Sequence, residues 1–406
     1  YYLEHSNNNN VCAFSISTTV KRPPRVVVVG KIIVDEYGAP GEVVENVSIG
    51  GGGPQAAWGA AAAMALLFTQ DGDTIEHNLP PQQQPVTLVG PVGATDFTEA
   101  EQAALLETVG MALDVSPLLI PGPASTQTPR IRLWHDPETQ QVQWFAINDS
   151  FGPNGADTLW GLTPTLEDIT IAMGDEERVV MHCILEAGAN PPGSGGDAIP
   201  FLDPFLQSRV SFLGVEPVVF AQEVSPGTWQ VTKEDAVACS QQMKNIYHAG
   251  PCPMVISPDR PLHDAIQQYQ LASSTTCDPF MGISPQTYPS GTGEIAPGVT
   301  MAVRDGANGS KIYMTGKDNF ETQVVVSAAS LCTADGEVVN PTGAGNAYAA
   351  AFTACMGCGT NAFDAACIAT AIGAVLCEYP HIPPWNWDTL ERIRSGAQEV
   401  KQKKVV

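Results

Sequence analysis

Positive charge is scarce in this chain. Its 406 residues hold 19 Lys and Arg against 43 Asp and Glu, a net charge of −24. Phosphate backbones are bound by basic surface, so nucleic acid is excluded as the main partner. An anionic ligand must instead be met by backbone donors, a few local cations or a metal ion. Charge of either sign is also low, at 15% of residues, while Gly (38) and Pro (33) are plentiful, which indicates many loops and much neutral surface. No apolar run reaches the ~20 residues of a membrane helix, so no membrane partner is expected. The ten cysteines lack zinc-finger spacing. The one Cys-x-x-Cys, Cys355 to Cys358, has no companion pair or nearby His and reads as small core residues in a reducing compartment. An intracellular, cytoplasmic location is therefore expected. The chain opens on Tyr1 and not Met, which leaves an organellar leader open.

What is present is an alternation of strands and helices. Residues 1–24, with "NNNN" at 7–10, read as a disordered lead. "RVVVVG" is a continuous apolar run of the kind buried on both faces of a parallel sheet. Asp35 follows it, either as a turn carboxylate or as a ligand contact beyond a strand's carboxyl end. Four glycines, 50–53, precede an Ala-rich helix expected from about Pro54 to Phe68. "VTLVGPVGATDF" gives another strand and turn, with a helix over about 98–111. Residues 131–144 alternate around "HDPET" as a β-hairpin. "RVVMHCIL" and "PMVIS" read as further core strands, with His182 as a satisfied core histidine. Residues 186–200 and 272–299 read as loop insertions. "VTMAVRDGANGSKIYM" is strand, turn and strand, and 361–380 is a helix. Trp385 and Trp387 in "PPWNW" read as buried caps of the C-terminal helix region. No repeat occurs, and the order argues for one domain over 25–395 followed by a tail, 396–406.

The stretch "VVNPTGAGNAYAAAF" (338–352) carries the chemistry. An extended segment leads into a turn at Thr342, Gly343, Ala344 and Gly345, then into a helix of small residues. The free N–H groups of such a helix start can hold an anion.

In order and motif these pieces resemble the ribokinase-like carbohydrate kinases, the PfkB family. Gly30 to Asp35 looks like its opening G-x-x-x-x-D, 50–53 like its Gly-Gly segment, "RDGANG" (304–309) like its nucleotide turn and "NPTGAGN" (340–346) like its D-T-x-G-A-G-D. The resemblance covers roughly residues 25–395. It implies a three-layer α/β sandwich with a mainly parallel central sheet and a small β lid built near 41–49 and 130–145. It also implies ATP as cofactor, with Mg2+, and a sugar, polyol or nucleoside as substrate. Carried over, Gly343, Ala344 and Gly345 form the anion hole, and Asn346 stands where the family keeps its Asp base. Substrate contacts would be Asp35, Gly51, Gly52, Gln55 and Arg132. Nucleotide contacts would be Arg304, Asp305, Gly306, Asn308, Gly309 and Thr342. The family's Asn-x-x-Glu metal motif has only "SPDRPLHD" (257–264) as a counterpart, with Asp259 and Asp264 as substitutes, so the metal residues stay unassigned. Arg130 and Arg132 either face a substrate phosphate or form the solvent face of an edge hairpin. That open edge is also a candidate homodimer interface.

Asn346 leaves two readings. A neutral amide cannot take the hydroxyl proton, an assistance typically worth ~10²–10⁴-fold. Phosphoryl transfer nevertheless rests chiefly on positioning and charge stabilisation. The chain is therefore either a slow ATP-dependent phosphotransferase or a non-catalytic binder of nucleotide or sugar, acting as a sensor or assembly partner; beside these stands an α/β protein whose glycine turns only pack helices on the sheet.

Overall fold

Val26, Val27 and Val28 are wholly buried, as a strand covered by helices on both faces must be. They form β1 (Arg25–Val29), a central strand of a ten-stranded sheet in a computed structural model of the chain. The structure describes residues 23–68, 86–93, 95–109, 113–114, 119–121, 127–135, 142–147, 164, 166–176, 178–186, 208–219, 222–225, 228–240, 253–271, 299–314, 324–326 and 338–402. The expected lead at 1–24 and the loops at 186–200 and 272–299 lie outside these residues except at their edges.

Strand β1 pairs in parallel with β4 (Val86–Val92) and with β9 (Val179–Glu186). From β9 the parallel order continues through β10 (Val210–Val218), β13 (Met254–Ile256) and β14 (Val299–Arg304). Strands β15 (Ser310–Met314) and β16 (Val324–Val326) close that edge in antiparallel fashion. On the other side, β5 (Leu113–Asp114) and β6 (Leu119–Pro121) pair with β4. A separate hairpin joins β11 (Gln222–Ser225) to β12 (Thr228–Gln230).

One helical layer holds α1 (Gly52–Phe68), α5 (Ala344–Gly357), α6 (Ala362–Cys377) and α7 (Trp387–Gln402), packed in succession. Small residues set their spacing. A Cβ on Gly59 would lie 2.3 Å from the Ala347 carbonyl oxygen, so α1 and α5 touch backbone to backbone. The sheet also meets α3 (Leu166–Met173) and α4 (Arg260–Leu271), which complete the three layers, and α2 (Glu99–Val109) packs beside α1. The Cys355 and Cys358 thiols are free and buried, and burial pushes Cys358 up to about 12. Among the described residues no helix is long and apolar enough to cross a membrane.

Two boundaries and one burial differ from expectation. Helix α1 begins at Gly52, two residues before Pro54. Helix α7 runs through the expected boundary at 395 to Gln402 and buries Ala397 and Val400. Residues 396–402 are thus part of the packed layer and not a tail. Trp387 opens α7 half-exposed, with the Arg394 guanidinium over its ring, so it does not cap by burial.

The lid is a second sheet of four strands in the order β3 (Asn46–Gly50), β2 (Ile33–Tyr37), β7 (Arg130–His135) and β8 (Val142–Ala146). The hairpin β7–β8 stands where the alternation placed it. Strand β2 was not expected: Asp35 lies within it, opposite Ser48 of β3, and not in a turn after β1.

Candidate active site

Helix α5 begins without a side-chain cap. Its N-cap is Gly343 in the left-handed conformation (φ 86°), a region L-residues rarely adopt. Asn340 folds the turn by accepting from Thr342 N–H at 3.0 Å, and its own Nδ2 donates to the Pro380 carbonyl at 2.8 Å. Ala344 N–H is engaged by the Pro341 carbonyl and Ala347 N–H by that of Gly343. The N–H groups between them, Gly345 and Asn346, find no acceptor among the described residues. These two are the donors that the turn offers to an anion.

A cation stands over them. Arg304, at the end of β14, places Nη1 only 2.3 Å from where a Cβ on Gly345 would lie, so glycine is needed for this approach. A guanidinium has the wrong sign for a helix N-terminus, whose partial charge is already positive. Glu216 on β10 offsets it: Oε1 accepts from Arg304 Nη1 at 2.6 Å and from Asn346 Nδ2 at 3.2 Å. Glu216 is 1% exposed. Burial works to raise its pKa, but the Arg304 charge, the nearby His182 ring and the Arg304 hydrogen bond outweigh it and hold the carboxylate below its ordinary range. Beneath it, the Thr353 hydroxyl donates to the Ala349 carbonyl and stands 3.0 Å from His182 Nδ1, leaving Nε2 facing Glu216 Oε2 at 3.5 Å. His182 is thus more than a core histidine: it backs the charged pair.

The glycine segment meets this turn. A Cβ on Gly52 would lie 3.0 Å from Asn346 Nδ2, and Gln55 sets its carboxamide against Gly343. Gln55 also lines a cavity with Asp35, Tyr37, Ser48, Thr342 and His381. Asp35 is 6% exposed, its Oδ1 has no hydrogen-bond partner, and burial lifts its pKa to about 8. Gly50 faces it so closely that any Cβ there would strike Oδ2. The cavity holds about 10 Å³, room for roughly one water.

Most of the expected residues therefore converge. Asp35, Gln55 and Thr342 line the cavity, Gly51 is the left-handed hinge (φ 90°) into α1, and Gly52, Gly343, Ala344, Gly345, Asn346 and Arg304 surround the helix start. Arg132 does not join them. It pairs in register with Glu36, on the face of the lid opposite to that of Asp35, and binds Glu36 Oε2 at 3.0 Å. Arg130 binds Glu101 at 2.8 Å. The resemblance implies Arg132 as a substrate contact, and the sequence leaves both arginines between a ligand phosphate and the solvent face of the hairpin; their partners become visible only with the register.

A turn forms at 304–309, with Gly306 and Gly309 at positive φ around a single 3-10 turn that includes Asn308. Asp305 is held by Arg260 at 2.5 Å. Three further carboxylates are also committed. Asp259 caps α4 by accepting from Leu262 N–H, Asp264 pairs with Arg260, and Glu216 pairs with Arg304. No group of three His, Cys, Asp or Glu side chains is assembled among the described residues. A protein-held Mg2+ does not fit this donor set. Glu216 is the site residue the sequence did not reveal; a lone acid inside an apolar strand was its only signal.

No protein-family model matches the sequence, and no curated protein does. Solved structures do. A PfkB family carbohydrate kinase from Listeria grayi is 11% identical, with a TM-score of 0.55, covering 92% of this chain and 99% of that one. An E. coli protein assigned as a ribokinase II, solved with ATP and Mg2+, is 15% identical with a TM-score of 0.54, covering 93% and 99%. Ribokinase from Thermotoga maritima is 14% identical with a TM-score of 0.52, again covering 93% and 99%. At such identities the fold is what is shared, and the chain has the ribokinase-like α/β sandwich with its small β lid.

Proposed function

We propose that the chain is an ATP-dependent phosphotransferase acting on a hydroxyl of a sugar, polyol or nucleoside. The observation that carries this reading is the junction of two half-sites. A carboxylate-lined cavity and a helix N-terminus with two free N–H groups meet at Gln55, Gly52 and Asn346. Asp35 and Gln55 would hold acceptor hydroxyls. Gly345 N–H, Asn346 N–H and Arg304 would hold the transferring phosphoryl group, where fixed donors stabilise developing charge. The 304–309 turn and Thr342 would take the nucleotide. Mg2+ would come with the nucleotide, held by phosphates and water.

In this reading the acceptor oxygen forms a bond to the γ-phosphorus while the bond to the β,γ-bridging oxygen breaks and ADP leaves. The hydroxyl proton passes to water, because an amide at 346 cannot hold it. The same amide favours a second reading, a binder of nucleotide or sugar that has kept the cradle and given up transfer, and now works as a sensor or assembly partner. A homodimer through the lid edge is compatible with either.

Calorimetric titration with Mg-ATP, followed by an ADP-release assay across a panel of sugars and nucleosides, separates the two. Turnover supports the kinase. Binding without turnover on any acceptor supports the second reading. Binding of neither Mg-ATP nor any acceptor of the panel sinks both.

A further inference from the structure

The proposed transfer makes no use of Glu216, a buried carboxylate beside Asn346. A charge within a buried strand is costly unless paired, and sheet packing does not call for one here. Its Oε1 takes two donors, Arg304 Nη1 at 2.6 Å and Asn346 Nδ2 at 3.2 Å, and its Oε2 faces His182 Nε2 at 3.5 Å. An amide has one donor end and one acceptor end. With Nδ2 committed to Glu216, Oδ1 is the end left for a ligand.

We infer that Glu216 is the positioning residue of this site: it orients Asn346 so that Oδ1 accepts from the reacting hydroxyl, and it holds Arg304 over Gly345. The negative charge of the site thus resides at 216 and not at 346. The role toward the hydroxyl rests on the kinase reading, whereas the placement of the charge does not. A carboxylate introduced at 346 would stand against Glu216 at about the separation the amide now keeps, and two carboxylates so close do not both ionise readily. The charge can be moved between these positions but not doubled. The charged or titratable groups facing it are Arg304 from β14 and His182 from β9, and both stay in place throughout the test.

The test compares the native chain with N346D, E216Q and the double variant, which keeps one carboxylate, one amide and Arg304. Melting is followed from pH 5 to pH 8.5. Both single variants are expected to melt below the native chain at pH 8, and the double variant above either single. The carboxyl group that N346D places beside Glu216 has a folded pKa raised above its unfolded value. Its contribution is then present at low pH and lost as pH rises through the folded value. The deficit of N346D should accordingly widen from pH 5 to pH 8 and vanish in the double variant. Additive losses in the double variant, or a deficit of N346D that ignores pH, overturn the placement of the charge.

The functional arm measures ADP release with Mg-ATP and the acceptor panel. The double variant should gain about 10²-fold or more over the native chain, the span of general-base assistance. N346D should gain less, with its rate rising at higher pH than that of the double variant. If no protein of the set binds or turns over Mg-ATP, the kinase reading fails and takes the role toward the hydroxyl with it. The melting cycle still decides where the charge sits.

Discussion

The Gln55 carboxamide lies against the α-carbon of Gly343, so near that an ideal Cβ at 343 would stand 2.0 Å from its carboxamide carbon. One residue belongs to the helix after the glycine segment and the other to the turn that opens α5, separated by most of the chain. Their contact joins the cavity of Asp35 to the free N–H groups of the turn, and it makes Gly343 necessary twice, for its φ of 86° and for the space.

Gly343→Ala should therefore lose stability from both causes, with the backbone strain alone on the order of 1–3 kcal/mol. Chemical denaturation of Gly343→Ala and of Gly343→Ala with Gln55→Ala separates them. The second change should recover the part due to the clash and leave the strain. A Gly343→Ala chain as stable as the native one would rule out the left-handed cap.

Gly345 lacks a positive φ and needs glycine only for the nearness of Arg304. Gly345→Ala should displace the guanidinium and weaken Mg-ATP binding at least about tenfold, the loss of roughly one charge-assisted hydrogen bond. Arg304→Ala goes further and leaves Glu216 buried without its cation, a loss of about 3–5 kcal/mol when a buried pair is broken. Adding Glu216→Gln should restore much of it. Equal stability of Arg304→Ala and the double variant would show that the pair does not hold the site.

The core was legible because its strands are continuous apolar runs. Val26–Val29, Val179–Leu185 and Met254–Ile256 could be placed on a parallel sheet from hydrophobicity alone. Strand β10 was not, although it is a central strand of the same sheet. Its sequence, VSFLGVEPV, is broken by Gly214, Glu216 and Pro217. Gly214 is there because a Cβ would meet Thr353 Oγ1 at 2.0 Å, and Glu216 because it pairs with Arg304 and Asn346. The residues that hide the strand are those that build the floor of the site. Strand β2 was missed for a similar reason: IVDEY reads as a polar turn until Asp35 is seen facing a cavity and Glu36 facing Arg132. The glycine turn, by contrast, was legible as a turn, but not which N–H groups it leaves free: the expected hole of Gly343, Ala344 and Gly345 shifts to Gly345 and Asn346, because the Pro341 carbonyl engages Ala344 N–H.

Asp35 predicts a pH dependence. Burial raises its folded pKa to about 8 from an ordinary 3.8. Stability contributed by the protonated form is fully present below about pH 4 and is lost as pH rises through about 8. Asp35→Asn, close in shape to the protonated acid, should melt above the native chain at pH 8.5, by less at pH 5, and near it only below about pH 4. If acceptor hydroxyls bind the ionised form, binding releases a proton below pH 8, and affinity should fall by up to about tenfold per pH unit there. Titration calorimetry in buffers of differing ionisation enthalpy reads that proton directly. Stability curves of the two proteins that stay parallel across this range would exclude the raised pKa.

The lid is tied to the body of the protein by a second titratable contact. Asn46 Oδ1 accepts from Val47 N–H at 2.9 Å, so its Nδ2 faces outward and donates to His381 Nε2 at 3.0 Å. The ring of Tyr37 packs edge-on against the same imidazole, 4.7 Å between centroids, and His381 Nδ1 is buried without a hydrogen-bond partner. Only an unprotonated Nε2 can accept, and burial lowers the His381 pKa below its ordinary 6.5. The contact is then fully present above about pH 6.5 and is lost as pH falls through the folded value. Amide hydrogen exchange over residues 46–50, corrected for intrinsic rates, should be faster at pH 5 than at pH 7.5 in the native chain. In Asn46→Ala and His381→Phe it should be fast at both, because neither variant can make the bond. The same ratio of rates in native and His381→Phe chains would mean that the lid is held by its strands alone. A native ratio that exceeds the variants' would place the first step of lid opening at Asn46 and His381.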